Sequence, residues 1–254
     1  MNQTDGASAI VDALRLGLDP KRVRRFTTEF TLRPETMTIR APEDEESPLL
    51  ICLHPPRLTE FQFAQRMREL IRLDAHLAFP RGLHAHEVDL GGARTVGYAW
   101  CHYTGDNPAF RQSLALACEY LRRILERLLE DLPVDRRAIY LLGAEGGALA
   151  AAVCGVSHSD AFAGVITIGG RILPEVLVDH LPEKRRIPFL CIHSRRGRNL
   201  ATAETRKHIA DMRDLGFPVD FELLRGDAEP WHDEENLVLS WLSQKAGVPV
   251  SGLD

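Results

Sequence analysis

The sequence contains no apolar run long enough to cross a bilayer, no basic arm and no CxxC pair. The first absence excludes a helical membrane span, which needs about 20 consecutive apolar residues. The second, with a formal net charge of -5, removes any global attraction to a phosphate backbone and argues against nucleic acid as a partner. The third leaves five cysteines, Cys52, Cys101, Cys118, Cys154 and Cys191, odd in number and mostly among apolar neighbours. That pattern fits buried reduced thiols better than a disulfide framework or a zinc site. The opening Met1-Asn-Gln-Thr-Asp5 carries no positive region and no apolar stretch behind it, so no signal peptide is expected and the chain is read as cytoplasmic.

What is present is the composition of one large globular domain: 254 residues, 44% hydrophobic and 26% charged, enough to bury a sizeable core. Residues 1–45 read as an N-terminal extension, with a short helix over Ala7 to Leu18 and a hairpin over Phe26 to Arg40. Residues 46–254 read as the main domain. There, short apolar runs alternate with stretches of helical period. Leu49 to Leu53, Ala75 to Phe79, Ala138 to Leu142, Ala163 to Ile168, Pro188 to His193 and Val219 to Leu224 read as strands. Phe61 to Leu73, Phe110 to Leu132, Ala148 to Cys154, Ala201 to Leu215 and Glu235 to Gln244 read as helices. Such alternation predicts an α/β fold with a doubly wound, mostly parallel sheet and helices on both faces. Leu83 to Ala109 shows no regular period and reads as a long functional loop.

The chemistry concentrates where Ala138-Ile-Tyr-Leu-Leu142 runs into Gly143-Ala-Glu-Gly-Gly147 and then a small, helix-prone segment. In a G-x-S-x-G elbow the glycines permit a strained strand-to-helix turn that lifts the central side chain above the sheet edge. Here both glycines of the frame stand, and Glu145 occupies the centre.

Leu141-Leu-Gly-Ala-Glu-Gly-Gly-Ala-Leu-Ala150 resembles the LxGxSxGGxLA run of the phospholipase/carboxylesterase branch of α/β-hydrolases. Leu50-Ile-Cys-Leu-His54 is similar to the strand entering the oxyanion loop, Tyr98-Ala-Trp100 to the aromatic stretch before the long helix, and Ile187 to His193 to the strand before the catalytic acid. The resemblance spans roughly residues 48 to 244. It implies the α/β-hydrolase fold and a cleft in which Glu145 and Gly146 at the elbow, His54, Trp100, Arg195 and Arg198 would meet a small-molecule ligand.

The departures fall on the catalytic residues. Glu145 replaces the serine, Gly197 stands near the place of the acid, and His232 lies four positions beyond Ala228, where the family's spacing puts the histidine. Pro55 replaces the glycine after His54 and has no N–H to donate. Acyl transfer on serine needs nucleophile, base and orienting acid together. The expectation is therefore a carboxylesterase-like protein without the usual triad: a non-hydrolytic small-molecule binder or regulatory pseudoenzyme. The alternative is an active hydrolase using Glu145 with His232 or another base. A cation, one of Arg195, Arg196, Arg198 or His232, is expected beside Glu145. His84-Ala-His86-Glu87 with Asp89 and His102 is weakly specific for a metal and reads as a polar stretch beside the cleft, so no metal or other cofactor is expected.

Overall fold

Leu49 to Leu53 is apolar at every position, so a strand there needs cover on both faces. In the computed structural model, which describes residues 35–41, 46–89, 91–103, 105, 107–179, 186–194, 201–224 and 231–251, it has that cover. All these residues belong to one unit beginning at Pro34. Leu49, Ile51 and Leu53 of strand β2 (Ser47–Leu53) join one core layer, while Leu50 and Cys52 join the other. The period of two along the strand is what divides the core between two faces.

Seven strands form the main sheet. β1 is Thr36–Ile39, β3 His76–Pro80, β6 Val134–Ala144, β7 Gly164–Ile168, β8 Phe189–Ser194 and β9 Val219–Leu224; the spatial order is β1-β3-β2-β6-β7-β8-β9. All neighbours are parallel except β1, which runs antiparallel to β3 from Thr36 opposite Pro80 to Ile39 opposite Leu77. Helices α2 (Pro108–Asp131), α3 (Gly146–Ser157) and α5 (Thr202–Asp214) supply Leu114, Leu121, Leu149, Val153 and Ile209 to the first layer. Helices α1 (Glu60–Arg66) and α6 (His232–Ala246) supply Phe63, Val238, Trp241 and Leu242 to the second. The architecture is the doubly wound α/β fold that the sequence alternation predicts. Asn107 caps α2, its Oδ1 accepting from the Phe110 N–H at 3.0 Å, with Pro108 in the first turn. Among the described residues no helix is long and apolar enough to cross a membrane.

Three expectations need correction or restriction. The helix expected from Phe61 to Leu73 breaks at Met67 (φ -104°, ψ 37°) into α1 and a 3₁₀ turn, Arg68–Arg72. The supposed loop from Leu83 to Ala109 contains a two-stranded antiparallel sheet, β4 (His84–Asp89) with β5 (Arg94–Ala99). Its period of two was invisible because β4 exposes Ala85, Glu87 and Asp89 and half-buries His84, His86 and Val88, a contrast weaker than polar against apolar. The helix over Ala7 to Leu18 and the first half of the Phe26 to Arg40 hairpin lie outside the described residues. The described part, β1, is a strand of the main sheet. A short helix absent from the sequence reading, α4 (Pro174–Val178), follows β7.

Candidate active site

Glu145 stands between β6, the central strand, and α3, with φ 50° and ψ -112°, a conformation L residues rarely adopt. Backbone hydrogen bonds hold it there: the Glu145 N–H donates to Ile168 O at 2.8 Å, and Glu145 O accepts from the Ala148 N–H at 3.1 Å. The glycines around it answer to close backbone packing. A Cβ on Gly143 would lie 2.2 Å from Gly147 O, one on Gly147 would lie 2.4 Å from Leu53 O, and one on Gly170 would lie 2.5 Å from Glu145 O. The strained elbow expected from the sequence is therefore present, at the carboxyl end of a parallel strand where open α/β sheets place their ligands. A carboxylate at this helix start also lies on the favourable end of the helix dipole.

Facing the elbow is the turn that follows β2. A Cβ on Gly146 would come 2.9 Å from Pro56 Cγ, so the Pro56 ring packs directly over the elbow backbone. In an oxyanion hole, one N–H comes from the residue after the nucleophile and a second from the opposite loop. Gly146 occupies the first position. On the other side Pro55 and Pro56 have no N–H. The Arg57 N–H donates to Tyr98 O at 2.8 Å, and the Leu58 N–H reaches Pro55 O at 3.4 Å. Arg57 itself has φ 71°, and Gly97 is pressed against it so closely that a Cβ would lie 2.1 Å from Arg57 O.

His54 is fully buried beneath this turn. Its Nε2 accepts from the Gly82 N–H at 2.9 Å, which leaves the proton on Nδ1 to be donated to Pro55 O at 2.8 Å. Burial pushes the imidazole below its ordinary pKa, against the opposing pull of the Pro55 carbonyl. Trp100, 1% exposed, packs on His54 with ring centroids 5.5 Å apart and donates Nε1–H to His54 O at 3.2 Å. Both side chains brace the turn from below, so the ligand-contact role the resemblance implies for them has no support in their burial.

His232 opens α6, exposed to solvent, and no hydrogen bond or ion pair joins it to Glu145 among the described residues. Arg195, Arg196, Arg198 and Gly197 lie outside the described residues, as does the expected arginine pairing with Glu145. His84, His86 and His102 do converge: the His102 ring lies 4.8 Å from His84 and 4.7 Å from His86, centroid to centroid. Burial lowers the His84 and His86 pKa values, with His102 adding to the effect at both. Among the described residues no group of three His, Cys, Asp or Glu side chains is arranged to hold a metal ion.

Sequence reasoning missed one site beside the elbow. His193, at the end of β8, is 3% exposed, and neither ring nitrogen has a hydrogen-bond partner among the described residues. It lines a cavity of about 10 Å³, room for one water, with Thr167, Gly170, Cys191, Thr205 and His208. The available signal was its place at the carboxyl end of an apolar strand; His208 on α5 carried none.

No family model matches the chain, and no curated protein does. Solved structures do. Esterase PE8 superposes with a TM-score of 0.69 over 83% of this chain and 98% of that one, at 18% identity. A Zea mays acyl-protein thioesterase 2 gives 0.64 over 82% and 97%, at 14% identity. A Bacillus cereus carboxylesterase gives 0.61 over 82% and 92%, at 13% identity. At these identities the likeness is one of fold.

Proposed function

Because the chain has the α/β-hydrolase fold of these esterases and thioesterases, we propose that it is a carboxylesterase-like protein that has kept the elbow and cleft without ester hydrolysis, a small-molecule binder or regulatory pseudoenzyme. The observation that carries this reading is the turn opposite the elbow. A tetrahedral oxyanion is held by two or more aimed donors, and among the described backbone N–H groups of the elbow and this turn, Pro55, Pro56 and the engaged Arg57 N–H leave Gly146 alone. Losing one such donor lowers turnover by roughly 10²–10³-fold. The loss of the serine hydroxyl, the displaced His232 and Gly197 at the acid's place compound it. The same reading puts the protein in the cytoplasm and needs no cofactor.

The strained backbone at Glu145 is what favours the alternative, a hydrolase using the carboxylate as nucleophile, because positive φ at a non-glycine residue concentrates at functional sites. One experiment separates the two. Purified wild type, Glu145→Gln and Glu145→Ser are assayed with p-nitrophenyl acetate, with and without phenylmethylsulfonyl fluoride. The expected result is turnover at the buffer rate for all three and no covalent sulfonyl adduct. Wild-type turnover abolished in Glu145→Gln would establish carboxylate catalysis instead, and sulfonyl labelling of the wild type would reveal an unassigned nucleophile, Ser194 being the first to map.

A further inference from the structure

Three of the five cysteines gather in one core layer although they are far apart in sequence. Cys118 lies midway along α2, 6% exposed, and Cys154 near the end of α3, 2% exposed; both belong to the core that packs these helices together. Their sulfurs are 2.6 Å apart, well inside the separation of two nonbonded sulfur atoms. Cys101, just after β5, packs against the same layer but is only partly buried, and it interacts electrostatically with both. The cluster is thus two enclosed thiols in contact and one thiol at the rim. The helix carrying Cys154 is the one whose first turn forms the elbow.

We propose that Cys118 and Cys154 close into a disulfide by exchange with a small-molecule disulfide of the glutathione class, with Cys101 as the entry thiol. The Cys101 thiolate attacks the small disulfide and releases one small thiol, leaving a mixed disulfide at the rim. Cys118 then attacks the Cys101 sulfur and expels the second small thiol. Cys154 attacks the Cys118 sulfur and returns Cys101 to the thiol. In total, two protein thiols are oxidised, one small disulfide is reduced to two thiols, and the two protons leave with them. The order follows from access: the rim thiol meets the oxidant, and the buried pair receives the bond. Burial holds the Cys101 thiol up at about 12 and also raises the Cys154 thiol well above its ordinary value, so closure is slow at neutral pH.

The test uses the full-length protein and does not depend on how the elbow is read. Reduced protein is equilibrated with excess glutathione disulfide, quenched in acid, alkylated in denaturant and mapped by trypsin and mass spectrometry. Arg111, Arg122 and Arg137 separate the three cysteines into different tryptic peptides. The expected end state is a Cys118–Cys154 cross-linked peptide with Cys52, Cys101 and Cys191 alkylated. A Cys101→Ser variant should reach the same end state about tenfold more slowly or worse. Five alkylated cysteines at equilibrium, or a terminal mixed disulfide on Cys101, would overturn the proposal. Closure of Cys101→Ser at the wild-type rate would overturn the relay. The wild-type map requires no variant to fold.

Discussion

Acidification is a direct test of the buried histidines that frame the elbow. Burial lowers the folded-state pKa of both His54 and His193, which are 0% and 3% exposed. In the unfolded chain each titrates near 6.5. Below that value the unfolded chain takes up protons that the fold refuses, so the stability these groups contribute is complete above about pH 6.5 and is lost as pH falls towards their folded values. At pH 5.5, one unit below the unfolded value, a histidine still neutral in the fold costs up to about 1.4 kcal/mol, and the two together about 3 kcal/mol relative to pH 8. His84 and His86 shift in the same direction, but solvent reaches them and shrinks their share. Glu234 and Glu235, raised above their ordinary values by burial, act with the opposite sign as the pH falls and offset part of the loss. Urea unfolding at pH 8, 6.5 and 5.5 measures the effect. Replacing His54 with Gln, which can still accept from the Gly82 N–H but cannot titrate, should cut the loss by up to about 1.4 kcal/mol. An undiminished loss in His54→Gln would refute the assignment of His54 as a neutral brace.

Three further substitutions, one of them a control, probe the packing beneath the site. Gly147→Ala should destabilise by about 3 kcal/mol or more, because its Cβ would stand 2.4 Å from Leu53 O and 2.7 Å from His54 O, backbone atoms that cannot swing away. Gly169→Ala, at φ 61° with nothing within 4 Å of its Cβ, is the control and should lose only about 1 kcal/mol to backbone strain in the same urea measurement. Trp100→Phe keeps the aromatic packing but drops the Nε1–H bond to His54 O. It should cost about 1–3 kcal/mol for the buried carbonyl left unpaired, read from the shift in thermal midpoint.

The strands were legible where burial on both faces made them uniformly apolar, as in β2, β7 and β8. The β4–β5 hairpin was not, because one face of β4 is held by histidines whose cover comes from His102, residues away in sequence. The same limit hid the roles of His54 and Trp100. Which atoms His54 bonds depends on Gly82, brought beside it only when β3 pairs with β2. The motif marked the right turn, and distant backbone decided that the imidazole supports it from below.

The elbow itself separates geometry from chemistry. Gly143, Gly147 and Gly170 are required because Gly147 O, Leu53 O and Glu145 O pass within about 2.5 Å of where their Cβ atoms would be. None of those constraints involves the side chain at 145. The frame is therefore maintained by the packing of β6, α3 and the β2 turn, independently of the side chain at its centre. A glycine pattern of this kind reports a fold and the place of its cleft. The reaction is decided by the donors around that cleft, and here the residues to examine are Pro55 and Pro56 as much as Glu145. Placing serine at the elbow while both prolines remain should leave the facing turn without a second donor, which is why Glu145→Ser is expected to stay inactive.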